Sequence, residues 1–168
     1  RFSCEGPGSS FGAPYVLGVG SLEPRKNLQR LVEAWRQRPD GLRLVLAGGA
    51  GWGEEVGADV PGIVLPGYVP AAELPSLYRG AAVFVYPSLF EGFGMPVVEA
   101  MACGAPVVAS AHPSLDEACG PAAVRVDPLD PDAIAAGITE AIERRDELVP
   151  LGLEQASRFD WRETGRTM

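Results

Sequence analysis

Short valine-rich apolar runs, each separated from the next by a stretch of helical periodicity or a turn, recur from Tyr15 to Asp127 and constrain this chain more than any other feature. YVLGVG (15–20) is followed by NLQRLVEAWRQR (27–38), whose Leu28, Leu31, Val32 and Trp35 fall at helical spacing, and then by LRLVLAG (42–48). The series continues through IVLPG (63–67), a helical AELPSLYRGA (72–81), AVFVYPS (82–88), PVVEAMACG (96–104), PVVAS (106–110) and AVRVD (123–127). The strand-like runs scarcely alternate between apolar and polar residues. That is the pattern of strands covered by helices on both faces, so the expectation is an α/β fold with a doubly wound parallel sheet of five or six strands. DPDAIAAGITEAIERRDEL (130–148) follows, with Ile134, Ile138 and Ile142 on one side and Asp130 or Asp132 placed to cap its start, and reads as a surface helix. The opening RFSCEGPGSSFG is rich in Gly and Ser and aperiodic, so 1–13 reads as a linker or entering arm and 14–168 as the folded domain.

A chain of 168 residues, 46% of them hydrophobic, can bury one sizeable core. Its net charge of −8 argues against a nucleic-acid or anionic-lipid surface, which needs a broad basic face, so any anionic ligand must be held locally. Cys4, Cys103 and Cys119 are an odd set without CxxC spacing, which suggests neither a zinc site nor a disulfide framework and fits a reducing, cytoplasmic setting. With His112 as the only imidazole, a histidine-rich metal site is excluded, and in SAHPSLDE it reads as a loop residue. There is no run suited to membrane insertion and no signal peptide.

In open parallel sheets, ligands sit beyond the carboxyl ends of the strands. After the first run, GSLEPRKN (20–27) presents Arg25 and Lys26 just before a helix opening at Asn27, an arrangement suited to a phosphate, although a solvated loop pair is the bland alternative. After AVFVYPS comes LFEGFGMPVVEAMACG (89–104), where Gly92 and Gly94 let backbone approach a ligand and Pro96 suits a first helical turn. Glu91 lies in the loop and Glu99 inside the helix, where a carboxylate can accept hydrogen bonds from vicinal sugar hydroxyls. Two carboxylates flanking a cleft also fit glycosidic hydrolysis, and each has a plain reading as a helix charge. Ser88 and Ser114 read first as caps, Trp35 as core, Tyr78 as packing its helix on the sheet, and Trp52 as a possible gate. The glycines of GGAGWG (48–53) follow the second run rather than the first, which weakens a dinucleotide-oxidoreductase reading.

EGFGMPVVE (91–99) resembles the E-x7-E motif of the retaining glycosyltransferases of family 4, which have the GT-B fold of two Rossmann-like domains. VGSLEPRKNL (19–28) resembles their phosphate-binding turn, and LPGYVPAAELPSLYRGAAVFVYPSLFEGFG (65–94), EAMACGAPVVAS and AAVRVDPLD match in order and spacing, so that the likeness runs from Tyr15 to Trp161. The resemblance implies the C-terminal, nucleotide-sugar-binding Rossmann-like half of such an enzyme. It implies that Arg25 and Lys26, with the turn at Gly20, bind the donor diphosphate, that Glu99 binds the ribose hydroxyls, and that Glu91 faces the transferred sugar as the catalytic residue. Backbone at Phe93, Gly94 and Met95, beside Gly92, would touch the donor sugar or phosphate, and the turn Gly67, Tyr68, Val69 the nucleobase. Members transfer sugar with retention and without a metal, in polysaccharide or glycoconjugate biosynthesis. The implied donor is a GDP- or UDP-sugar, with GSLEPRKN leaning toward GDP-mannose. No separate cofactor is implied. The acceptor, a saccharide or lipid-linked saccharide, would enter through an N-terminal domain that this sequence lacks, in a cytoplasmic protein that can be peripheral to the membrane. The domain alone would then bind donor without efficient transfer. A nucleotide-sugar epimerase of GT-B architecture and a non-catalytic sugar-nucleotide-binding module are the alternatives.

Overall fold

Each apolar run of the sequence becomes a strand. The elements in order are β1 (Tyr15–Val19), α1 (Leu28–Arg36), β2 (Arg43–Ala47), β3 (Ile63–Gly67), α2 (Leu74–Gly80), β4 (Val83–Tyr86) and α3 (Met95–Ala102), followed by β5 (Val107–Ser110), α4 (Asp116–Cys119), β6 (Ala123–Val126), α5 (Pro131–Glu143) and α6 (Arg145–Ser157). Two 3-10 turns, Pro24–Lys26 and Pro113–Leu115, precede α1 and α4. The computed structural model describes residues 2–21, 23–38, 41–49 and 60–159.

The six strands form one sheet in the order β3-β2-β1-β4-β5-β6, with every neighbouring pair parallel. Successive side chains of a strand point to opposite faces. Tyr15, Leu17, Val45, Phe84, Tyr86 and Val107 therefore enter one core, beneath α2, α3 and α4. Val16, Leu44, Leu46, Val83, Val85 and Val108 enter the other, beneath α1 and α5. This two-sided burial is why the strand sequences lack alternation. It fails at the β3 edge, where Leu65 is 40% exposed and no residue of the strand is buried.

The C-terminal helical region departs from the expectation of one surface helix over 130–148. The chain breaks at Arg144, whose guanidinium binds Glu140 behind it and Glu147 ahead, and α6 then runs on to Ser157. Nor does α5 lie free on the surface, since Ile134 and Ile138 are fully buried against the sheet. Its Gly137 lets the helix approach β6 closely, because a Cβ there would stand 2.6 Å from Val126 Cγ1. Asp130 caps the helix by accepting from the Asp132 amide at 2.9 Å.

Residues 2–13 form neither helix nor strand, yet they are tied to the domain. Ser9 N–H donates to Ser76 O at 2.7 Å, and Arg79 donates to the carbonyls of Ser3 and Pro7. The buried thiols of Cys103 and Cys119 are both pushed up to about 11 by desolvation, which suits them to packing rather than nucleophilic chemistry. Where β1 and β2 end, Gly48 passes so close to the neighbouring turn that a Cβ would lie 1.8 Å from Gly20 O. Gly48→Ala must push that turn aside and is expected to lower stability by about 1–3 kcal/mol, read as a fall in the urea midpoint. A midpoint equal to that of the unaltered protein would show that the turn yields without cost.

Candidate functional site

The strand order reverses between β1 and β4, the place where open parallel sheets hold ligands beyond the carboxyl ends of their strands. Gly20 closes β1 with its N–H donating to Ala47 O at 2.9 Å and has φ of 151°, with the Lys26 stem against it. The 3-10 turn Pro24–Lys26 then carries Arg25 and Lys26 to the loop leaving β4. Asn27 follows in the left-handed region (φ 58°, ψ 30°), the only described non-glycine residue with positive φ, and turns the chain into α1.

The loop leaving β4 meets this turn. Leu89 N–H donates to Arg25 O at 2.9 Å, and Arg25 Nη1 donates to Phe90 O at 3.1 Å. Glu91 sits between the two cations: Oε2 accepts from Arg25 Nη1 and Oε1 from Lys26 Nζ, each at 2.7 Å. Lys26 also donates to the Tyr86 hydroxyl at 2.9 Å. The Glu91 side chain is 9% exposed and that of Lys26 12%, whereas that of Arg25 is 42% exposed, so the inner pair is screened from solvent far better than the outer. Burial by itself would raise the Glu91 carboxyl. Hydrogen bonding outweighs it, chiefly from Lys26, and holds the group below its ordinary value and ionised. Ser88, 1% exposed, forms no hydrogen bond of normal geometry but stands close enough to favour the charged form. Tyr86 moves the opposite way, raised by burial and then by the Glu91 charge, and keeps its proton.

Glu99 occupies the second turn of α3 and serves a different partner. Its Oε2 accepts from the Tyr78 hydroxyl of α2 at 3.2 Å, and burial raises the carboxyl above its ordinary value against that bond. For a carboxyl raised in the folded state, the cost of folding is absent while both states are protonated. It develops as pH rises through the normal carboxyl range and is complete above the folded value. Glu99→Gln keeps an acceptor for Tyr78 and removes the charge, so a higher thermal midpoint is expected at neutral pH, with the gain disappearing in acid. A gain that persisted in acid would disprove the desolvation account.

Beyond the end of β4, Gly94 starts α3 at φ 95°, packed so tightly that a Cβ would meet Leu115 Cδ2 at 2.5 Å, while Gly92 opens onto free space. Phe93 does not turn its ring outward: it packs edge-on against Phe159 at 5.3 Å. Met95 and Pro96 form the first turn of α3. Gly67 (φ 74°) ends β3 on the same side of the sheet, joined to β2 by Gly48 N–H donating to Gly67 O. Next to it Tyr68 is 77% exposed and Val69 half-buried against the core.

Several partners were not legible as such in the sequence. Asn27 is buried, and its carboxamide donates to Pro87 O at 2.9 Å and Pro128 O at 2.7 Å. Its position before a helix suggested only a helix start. Neither Ser88 nor Ser114 caps a helix. The cap of the second 3-10 turn is His112, whose Nδ1 accepts from Ser114 N–H at 3.1 Å, while Ser114 Oγ accepts from Glu91 N–H at 3.3 Å. Trp35 is half-buried and packs against the core on the α1 side of the sheet, its indole N–H donating to Leu42 O at 2.8 Å. Tyr78 is fully buried against the sheet, as its spacing suggested. Trp52 and Trp161 lie outside the described residues. Among the described residues there is no group of three or more His, Cys, Asp or Glu able to hold a metal ion, and no helix is long and apolar enough to cross a membrane.

Residues 13–144 match the profile of a family described as "Glycosyl transferases group 1". The chain is 42% identical over 161 residues to the O-antigen chain mannosyltransferase B of Escherichia coli, covering 88% of this chain and 42% of that protein. It is 34% identical over 173 residues to the D-inositol 3-phosphate glycosyltransferase of Mycolicibacterium smegmatis, covering 92% and 39%. Among solved structures, sucrose-phosphate synthase from Thermosynechococcus elongatus superposes with a TM-score of 0.78 at 29% identity, over 93% of this chain and 45% of that one. Anabaena HepE, crystallised with UDP and glucose, gives 0.75 at 25% identity, over 86% and 44%. The chain thus spans less than half the length of each of these proteins. From the matched profile and the doubly wound sheet, the chain belongs to the group 1 glycosyl transferases, and its Rossmann-like sheet corresponds to the nucleotide-sugar-binding half of related GT-B enzymes.

Proposed function

We propose that this domain binds the nucleotide-diphosphate-sugar donor, a GDP- or UDP-sugar, of a metal-independent retaining glycosyltransferase. The observation that carries the reading is the meeting of Arg25 and Lys26 from the β1 turn with Glu91 from the β4 loop at the point where the strand order reverses. An acidic protein that gathers two cations at the carboxyl ends of its strands has a local place for a diphosphate. In this reading the diphosphate rests on Arg25, Lys26 and the turn at Gly20, and the ribose hydroxyls on Glu99. The nucleobase takes the turn Gly67, Tyr68 and Val69. Backbone at Gly92, Phe93, Gly94 and Met95 borders the transferred sugar, which Glu91 meets.

When the bond from the sugar's anomeric carbon to the diphosphate breaks, negative charge grows on the leaving oxygen. Arg25 and Lys26 stabilise it there, supplying the compensation that a divalent cation gives in other transferases. Glu91 holds the sugar and offsets its developing positive charge. The acceptor, a saccharide or lipid-linked saccharide, is held by a second domain, so the domain alone binds donor without efficient transfer. The likeness to a mannosyltransferase at 42% identity supports GDP-mannose as the first donor to try, and that to a protein crystallised with UDP and glucose supports UDP-sugars as the second.

Calorimetric titration with GDP-mannose, UDP-glucose, GDP and UDP tests the reading. Saturable binding of at least one is expected, and the absence of binding to all four would sink it. Product analysis in the presence of the acceptor domain separates transfer, which releases free GDP or UDP with a glycoside, from epimerisation, which returns an altered sugar.

A further inference from the structure

We propose that Asn27 is a positioning residue of the donor site, orienting Lys26 against Glu91 by tying together the loops that leave β1, β4 and β6. The inference rests on the donor reading of Arg25 and Lys26.

Asparagine before a helix ordinarily caps it, its side-chain oxygen accepting from a first-turn amide. Asn27 makes no such bond. Its carboxamide is turned elsewhere and used in full: the amide group donates to Pro87 O at 2.9 Å and Pro128 O at 2.7 Å, and Oδ1 accepts from Arg30 Nη1 at 2.8 Å. The residue is 4% exposed. Its backbone is left-handed, a conformation asparagine tolerates better than other side-chain-bearing residues.

The ties have a geometric consequence for the site. Pro87 follows directly on Tyr86, whose hydroxyl accepts from Lys26 Nζ, and lies four residues before Glu91, which accepts from the same ammonium. Pro128 lies in the loop between β6 and α5, the helix that packs on the same face of the sheet as α1. A single side chain thus holds the residue next to Lys26 at a set height above the end of β4, and braces it from the far side against β6. The strand ladder does not supply this, because β1 pairs with β4 only at Val16 and Leu17. The turn carrying the cations lies above the last paired residues and depends on side-chain and loop bonds for its placement.

Asn27→Gly keeps the left-handed backbone accessible while deleting the carboxamide. Asn27→Asp keeps the shape but sets an anion against two carbonyl oxygens. UDP and GDP affinities are measured for Asn27→Gly, Lys26→Ala and the double variant, with folding checked by circular dichroism. The expected result is a loss of about tenfold in Asn27→Gly that falls below about twofold when Lys26 is already alanine, because a residue acting through Lys26 has nothing left to position. A purely structural residue would give losses that multiply. If Lys26→Ala alone leaves affinity unchanged, Lys26 is not part of the donor site and this inference falls, while the donor reading itself stands or falls on the nucleotide titration. If Lys26→Ala weakens binding but Asn27→Gly does not, or the two losses multiply, the Asn27 assignment alone falls. Should Asn27→Gly fail to fold, Asn27→Asp is read in the same cycle with the same criteria. Failure of both to fold overturns the assignment by making Asn27 a requirement of the fold.

Discussion

Alanine in place of Lys26 is expected to weaken UDP or GDP binding by on the order of ten- to a hundredfold, the factor that follows from a charge-assisted hydrogen bond worth about 1.5–3 kcal/mol. Lys26 should matter more than Arg25 because of where each lies. The Lys26 side chain is 12% exposed and that of Arg25 42%, so water and salt screen the outer cation more. The same change removes one of the two cations paired with a nearly buried carboxylate, leaving Arg25 to hold Glu91 at 2.7 Å. A stability loss of about 1–3 kcal/mol should accompany the loss of affinity. Calorimetry and urea unfolding on the same sample separate the two effects. Unchanged affinity for both nucleotides would remove Lys26 from the donor site whatever happened to stability.

Glu91→Gln is expected to act in opposite directions on binding and on transfer. In the structure the carboxylate already occupies both cations, as a diphosphate would have to do. A neutral amide competes less for Arg25 and Lys26, so UDP and GDP affinity should stay level or rise. Transfer by the complete enzyme should fall by on the order of a hundredfold, the cost of removing one preorganised charge from the reacting centre. The change also has an acid signature. A carboxyl held low in the folded state contributes stability that is present above its unfolded value and lost as pH falls through its folded one. Glu91→Gln should therefore flatten the acid limb of the stability profile relative to the unaltered protein. If instead Glu91→Gln lowers nucleotide affinity as much as Lys26→Ala does, the carboxylate organises the cations rather than competing for them.

Much of the architecture was legible because burial leaves a local trace. YVLGV, VFVY and VVAS read as strands from a few contiguous residues, and Leu28, Leu31 and Val32 recur at helical spacing because one face of α1 must be covered. Arg25, Lys26 and Glu91 could be picked out singly because charge in a turn at a strand end is a local pattern as well, and Glu99 because it stands about one turn inside the helix that follows. The break at Arg144 was not legible: the apolar spacing of Ile134, Ile138 and Ile142 runs on to its edge, and the bonds to Glu140 and Glu147 that straddle it leave no apolar signature. Residues 1–13 read as a linker or entering arm because ties such as those from Arg79, which donates to the carbonyls of Ser3 and Pro7, are not registered by composition.

The sequence by itself determined which residues are strand, which are helix, and which family's motifs they carry. Only the tertiary structure decided that Glu91 pairs with Arg25 and Lys26, that Glu99 turns to Tyr78, and that Asn27 spans from β1 to the loops of β4 and β6. Periodicity records how a residue faces its nearest elements. The partners of Glu91 lie 65 and 66 positions away and meet it because β1 and β4 are sheet neighbours, a fact of strand order that no local pattern contains.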